Sequence, residues 1–412
     1  MQTRRQFLRA AVGGPFLLSL SSTVPSALFC SAADTSKATD TDRVLVVVQL
    51  TGGNDGLNTV VPFANDAYAR SRPTLRLPAS KLHKLNSELG LHPNMGAMAH
   101  MFNEGRLTIL QGVGCPGLSR DHERAMRFWQ SAAPDEQAKD TGWLGRAADD
   151  LWGRVRPSAP AVFVGDIPRP FGINAAVTVV PTLHRPSDAG LQGVAIEPGV
   201  PRGVEVASPL LEHVRRTLVT AQVHARQLEK VAGASSGTDT PSGGYPDSVL
   251  ANDLRTVARL IRANIGIRVF HTELGGGGIG GFDNHANQIG NHCALLGQLS
   301  EALSAFAGEL AADALLDRVL VLTFSEFGRT VAENGRRGTD HGAAGPMFLL
   351  GGRCRGGIHG EHPSLTNLDG DALKHHTDFR AVYATVLADW LHLPAAAILG
   401  ADYPHLPLLS PS

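Results

Sequence analysis

The 412-residue sequence has almost no net charge, with 37 Lys and Arg against 38 Asp and Glu. That balance excludes the broad basic field by which proteins collect nucleic acid or anionic membrane. Cysteine is scarce, at 4 residues. Cys30 lies in the leading segment. Cys115, Cys293 and Cys354 remain, an odd set that closes at most one internal disulfide. No Cys-x-x-Cys spacing occurs, so a thiolate zinc knot is excluded. Past the leader, no apolar run is long enough to span a bilayer. No internal repeat is visible. What the chain does have is 43% hydrophobic residues, ordinary for a protein with a sizeable core. It also has 46 Gly, 25 Pro and 17 His. The first two predict many loops, and the histidines matter where they fall near carboxylates.

The leader, MQTRRQFLRAAVGGPFLLSLSSTVPSALFCSAAD, has a basic start, a moderately apolar middle and small residues near Ala33. Residues 1–33 therefore read as a secretory signal. Arg4 and Arg5 before Gln6-Phe7-Leu8 look like a twin-arginine signal, the alternative being an ordinary signal with two chance arginines. The twin-arginine machinery exports folded proteins and suits one that acquires a metal or cofactor before export. The expected location is the periplasm or the extracellular space. Phe29 before Cys30 suits a lipoprotein cleavage site poorly.

A polar linker, 34–42, leads into 43–50, a nearly continuous apolar run. Such a run fits a strand buried on both faces, as in a parallel sheet covered by helices. Further strands are expected at 106–113, 161–165, 176–180, 267–274, 318–324 and 346–352. Helices are expected at 119–131, 206–232, 248–266, 287–312 and 378–391. In 248–266, Leu250, Leu254, Val257, Leu260 and Ile261 recur at helical spacing and read as core contacts. Residues 233–247 and the Gly-rich run 275–281 read as loops. Alternating strands and helices predict an α/β sandwich with a mostly parallel sheet.

In open α/β sheets, ligands sit beyond the carboxyl ends of the strands. The polar clusters that follow the expected strands are Asn54-Asp55, Ser119-Arg120-Asp121-His122, Asp283-Asn284-His285 and Ser325-Glu326 with Arg329. Thr339-Asp340-His341 precedes the strand at 346–352. Carboxylates with imidazoles suit zinc, manganese or iron, so their convergence points to a metal site. Each piece also has a plainer reading. Asp55 before Gly56 fits a turn. Ser119 fits a helix cap, although a helix start also suits a hydroxyl nucleophile. Asp283 and His285 could form a structural hydrogen bond. Glu326 at the end of a buried strand needs a cation, which Arg329 or a metal would supply.

The order GGNDGLNT, SRDH, GFDNHANQ, FSEFGRT and GTDHGAAGPMFLLGG resembles the bacterial family called DUF1501, over roughly residues 43–400. That family is related to the alkaline phosphatase and sulfatase superfamily. The resemblance implies one alkaline-phosphatase-like domain at 43–400, with a variable insertion around 150–250 and a tail at 401–412. Carried over, Asp55, Asp283, His285, Glu326 and His341 would be metal ligands. Ser119 would stand in the nucleophile's place, and Arg120 or Arg329 would stabilise developing negative charge. The cofactor would be one or two divalent ions: zinc, manganese, iron or calcium.

Two departures limit the carry-over. Glu326-Phe327 stands where the superfamily commonly has Asp-His, so one histidine ligand is missing. CPGLSR, at 115–120, does not match the sulfatase Cys-x-Pro-x-Arg pattern, which argues against a cysteine-derived nucleophile. The implied function is hydrolysis of an anionic phosphate or sulfate ester. The alternative is a binding or assembly protein of the cell envelope, with an envelope partner, that keeps the scaffold without turnover.

Overall fold

Val44–Leu50 forms strand β1, and all seven of its side chains are buried. The protein is described here from a computed structural model over residues 43–133, 140–154, 159–183, 231, 244–276 and 281–410. The leader, the linker, the expected helix at 206–232 apart from Val231, and positions 277–280 of the Gly-rich run lie outside those residues.

Along β1 the side chains alternate between two cores. Val44, Val46, Val48 and Leu50 face one, and Leu45 and Val47 face the other. A strand with apolar residues at nearly every position is stable only when both sheet faces are covered. Each fully buried Val or Leu contributes about 1.5–3 kcal/mol.

The remaining strands of the main sheet are β2 (Leu107–Gly114), β3 (Ala161–Val164), β4 (Thr182–Leu183), β5 (Val269–Leu274), β6 (Val319–Phe324), β7 (Gly345–Leu350) and β8 (Gly357–His359). Their spatial order is β8-β2-β7-β6-β1-β5-β3-β4. A small hairpin of β9 (Leu368–Asp369) and β10 (Ala372–Leu373) precedes β11 (Thr377–Asp378), which pairs with β2. The fold is therefore α/β with a mostly parallel central sheet. The exception is β7, antiparallel to both β6 and β2. Because β7 runs backwards, its start lies at the edge where its neighbours end.

Helices α1 (Gly96–Asn103), α4 (Val249–Ala263) and α5 (Gln288–Ala312) cover the first core. Helices α2 (His122–Ser131), α3 (Trp143–Arg154) and α6 (Phe379–Thr385) cover the second. The apolar spacing expected for 248–266 is the buried face of α4. Ser248 caps its start by accepting from Ala251 N–H, and Asn264 ends it in the left-handed conformation.

Three expectations are corrected. No strand forms at 176–180, and the strand after β3 is Thr182–Leu183. The helix expected from Ser119 begins at His122, because Asp121 is its N-cap and accepts from Arg124 N–H at 3.0 Å. The closing helix is α-helical only to Thr385 and π-helical over Val386–Trp390.

Candidate metal centre

Four chain segments meet at the carboxyl edge of the sheet. They follow β2, β5 and β6, and the fourth leads into the reversed strand β7. The turn after β1 lies beneath them and requires glycine. Gly52 and Gly53 have φ of +113° and +79°. A Cβ on Gly52 would stand 2.5 Å from the backbone N of Asp283, and one on Gly53 would stand 2.3 Å from the Phe327 ring. The Thr51-Gly52-Gly53 turn is thus the seat on which the Asp283 segment rests.

Asp283 is the hub. Its Oδ1 lies 2.9 Å from His285 Nε2 and 3.2 Å from His341 Nε2, and those two nitrogens are 2.9 Å apart. Its Oδ2 lies 3.4 Å from His122 Nε2. His122, Asp283 and His341 offer ligand atoms all within 4.8 Å of one another. Neighbouring ligand atoms on an ion with bonds of about 2.1 Å lie about 3.0 Å apart in octahedral geometry and about 3.4 Å apart in tetrahedral geometry. The observed separations, 2.9 to 3.4 Å, lie at those values or just below them.

The far side of each ring agrees. His341 Nδ1 is 2.6 Å from the carbonyl oxygen of Arg120, which can only accept, so Nδ1 carries the proton. His285 Nδ1 is 2.9 Å from Asp340 Oδ1, and His122 Nδ1 is 3.0 Å from Glu326 Oε1. An acceptor at Nδ1 leaves the Nε2 lone pair to a metal. His122 Nε2 is buried and makes no hydrogen bond. The donor set therefore fits a divalent ion. Phe327 packs against two of the rings, with centroids 4.9 Å from His122 and 4.6 Å from His341.

Electrostatics hold the hub ionised. Partial burial opposes the charge on Asp283, but the hydrogen bond and charge of Arg329 outweigh it and keep the carboxyl below its usual range. The hydrogen bond with His285 lowers Asp340 in the same way. The hydrogen bond that His122 donates to Glu326 raises the His122 imidazole.

Three expected site residues have other tasks here. Asp55 Oδ2 pairs with buried Arg72 at 2.5 Å and accepts from Gln288 at 2.5 Å, while Oδ1 is buried without a hydrogen-bond partner, and Asp55 is not among the residues whose ligand atoms gather around Asp283. Glu326 accepts from Gly52 N–H at 2.8 Å, from Ser325 and from His122, and acts on the centre through His122. Arg329 is fully buried. It donates to the carbonyls of Gly52, Gly53, Phe282 and Thr339 and, at 2.7 Å, to Asp283. With its donors engaged, it ties the strand-end turns together and leaves no fork for a substrate anion.

Ser119 precedes the N-cap and does not sit on it, and its hydroxyl accepts from Asp121 N–H at 3.1 Å. It therefore lacks the helix-start environment expected of a nucleophile. The Arg120 side chain pairs with Asp371 at 2.5 Å, while its backbone carbonyl orients His341. Residue reasoning passed over His122 and Asp340. Both stand in motifs already quoted, SRDH and GTDHG. The available signal was a histidine following β2 at the same sheet edge.

Asp340 is exposed, so its removal should cost little stability. Asp340→Ala is expected to weaken metal binding about 10–100-fold by freeing the His285 ring. Calorimetric titration with zinc or manganese checks this, and an unchanged affinity would show that Asp340 does not orient His285.

The fold and the site define an α/β protein with a candidate metal centre at the carboxyl edge of its sheet. Residues 211–393 match DUF1501, a family described as of unknown function. No curated protein sequence matches the chain. Among solved structures it is similar to the PsFucS1 sulfatase from Pseudoalteromonas sp., with 9% identity over 89% of this chain and 72% of that one and a TM-score of 0.39. It is also similar to a protein in the alkaline phosphatase superfamily from Vibrio parahaemolyticus, with 10% identity over 88% and 67% and a TM-score of 0.36. A third is the zinc complex of the C-terminal periplasmic domain of EcEptC from Escherichia coli, with 9% identity over 75% and 72% and a TM-score of 0.37. Scores this low carry no argument about chemistry, so the reading below rests on this chain's own residues.

Proposed function

We propose that the protein is an exported, metal-dependent hydrolase of phosphate or sulfate esters. One observation carries the reading. Three imidazole Nε2 atoms converge on Asp283 while an acceptor holds each Nδ1. Asp283, His122 and His341 would hold the ion, with His285 Nε2 beside them, 2.9 Å from both Asp283 Oδ1 and His341 Nε2. Glu326, Asp340 and the Arg120 carbonyl fix the three tautomers. Arg329 keeps Asp283 ionised and the turns in place. The ion, when bound, supplies Lewis-acid charge to ester oxygens and lowers the pKa of water. Export is supported by the paired arginines of the leader. Among the described residues, no helix is long and apolar enough to cross a membrane.

Charge sets the number of ions. Asp283, Asp340 and Glu326 face the guanidinium of Arg329, and Arg336 adds a second positive charge near Asp340. Asp55 and Arg72 cancel each other. Against this small net negative charge a single divalent ion leaves the lesser imbalance, and a second ion would add uncompensated positive charge in a partly buried place. Elemental analysis is therefore expected to find about one divalent ion per chain. Asp283→Ala and His341→Ala should lose it. A wild-type protein that takes up no metal even after reconstitution would overturn the hydrolase reading.

The engagement of Arg329, Glu326 and Asp55 within the protein favours a second reading. That reading is a binding or assembly protein of the envelope that keeps one ion and lacks turnover. Metal-loaded protein that cleaves neither aryl phosphates nor aryl sulfates would support it.

A further inference from the structure

Pro346 stands inside β7, and its ring nitrogen has no proton to give to a ladder. The pairing of β7 with β2 slips between Gly345 and Met347. A cavity of about 10 Å³ lies at that slip, with Val113 of β2 and Gly345, Pro346 and Met347 of β7 in its wall. It has room for about one water molecule. Phe327 also lines it, and its ring packs on those of His122 and His341. Three polar residues share the wall: Asn54 from the turn after β1, Trp129 from the last turn of α2, and Ser325 just past β6.

Two of these carry donors without a partner. Trp129 Nε1 and Asn54 Nδ2 are buried and make no hydrogen bond within the protein, and each residue is 2% exposed. The indole is held in place by stacking on Phe379 and Phe324, with ring centroids 4.2 and 5.7 Å distant. The Asn54 amide is held from its other atom, since Oδ1 faces Thr59 Oγ1 at 2.9 Å and His292 Nε2 at 3.2 Å. Ser325 supplies the opposite function. Its one proton goes to the Leu50 carbonyl or the Glu326 carboxylate, 2.7 and 3.1 Å away, and one lone pair receives the Asn54 N–H at 2.9 Å. The second lone pair is left to accept.

We propose that this cavity is a water site, and that its water is a positioning element for His122. A buried donor without an acceptor is unfavourable, so two on one wall require a shared acceptor between them. A water accepts from Trp129 and Asn54 and donates to Ser325, which makes about three bonds, the usual number for a buried water. A halide accepts from the same two donors but has nothing to give Ser325. It would also meet the carboxylates of Asp55 and Glu326, the chain neighbours of Asn54 and Ser325, as like charges. His122 is the first residue of α2, and its Nδ1 lies 3.0 Å from Glu326 Oε1. Trp129, about two turns further on, reaches Ser325 through the water. Helix α2 is thus tied near both ends to one adjacent pair, Ser325 and Glu326, and the His122 ring keeps its aim at Asp283. The water site stands on its own observations, whereas its effect on His122 rests on the metal-centre reading.

Solution NMR of the full-length protein with chelator present reads the water directly. The chain has 4 tryptophans, and loss of one indole N–H signal in Trp129→Phe identifies the one of interest. In the wild type that proton is expected to show magnetisation transfer from water while exchanging slowly with solvent. Trp390 is the dry control, its Nε1 donating to the Val44 carbonyl at 2.9 Å. A Trp129 indole proton with no transfer from water would overturn the site. Zinc titration then reads the positioning. Trp129→Phe keeps a stacking ring and loses the donor, and is expected to weaken zinc binding about threefold to tenfold. In a His122→Ala background the same substitution should have no further effect, since the ring it acts through is gone. Unchanged affinity in Trp129→Phe, or weakening of equal size in both backgrounds, would overturn the positioning role. Wild-type protein that binds no zinc would overturn the metal-centre reading and the positioning with it, while the indole signal still decides the water site.

Discussion

Replacing Asp55 with alanine is expected to destabilise the protein by about 3–5 kcal/mol, because it strands a buried charge. Arg72 has no exposed side-chain surface, and Asp55 is its only carboxylate partner among the described residues. The other Arg72 donors go to Asn58 Oδ1 and to the carbonyls of Val331 and Thr330, which are neutral. Burial alone would raise the Asp55 pKa, but the Arg72 charge and hydrogen bond outweigh it and hold the group ionised. The double variant Asp55→Leu with Arg72→Met should recover much of the loss, since an apolar pair needs no desolvation of charge. Metal stoichiometry in that double variant should match the wild type. Urea unfolding checks the first expectation and elemental analysis the second. A single variant that keeps its stability but loses the ion would return Asp55 to the ligand set.

Acid should unfold the protein from well above the carboxylate range. His271 is fully buried in β5 with no hydrogen-bond partner on either ring nitrogen, and burial pushes its pKa down to about 3. Burial brings His92 and His292 down to about 4. In the unfolded chain all three titrate near 6.5. Below that value the unfolded state binds more protons than the folded state, so stability falls as pH falls. The loss begins near pH 6.5 and ends once the folded-state values are passed. Each proton contributes about 1.4 kcal/mol per pH unit to the slope. Lowered carboxylates such as Asp55 and Asp283 add a further loss in the same direction, but only at lower pH. His122, raised by Glu326, has the opposite sign and contributes stability that is lost as pH rises above 6.5. Urea midpoints at pH 7, 6 and 5 measure the slope, with chelator present to remove metal effects. His271→Leu should flatten it by about one proton. An unchanged slope in that variant would mean that the ring is protonated or wetted in the folded state.

Much of this protein is determined by its sequence. β1 and β6 have apolar side chains at nearly every position, which only a sheet covered on both faces can accommodate. α4 and α5 are bounded within a few residues of where the sequence pattern puts them, since helix periodicity is local. The glycines after β1, and the convergence of polar segments at strand ends, were likewise legible, because parallel topology sends every strand end to one edge. Tertiary structure alone decided the role of each polar residue. Asp55 and Glu326 both follow buried strands and look alike in sequence. One lies against Arg72, 17 positions along the chain, and the other against His122, 204 positions away. The reversal of β7 brings His341 to the active edge, and no local pattern encodes strand direction. A carboxylate's partner is set by distance in space, and periodicity carries no information about distances between segments far apart in the chain.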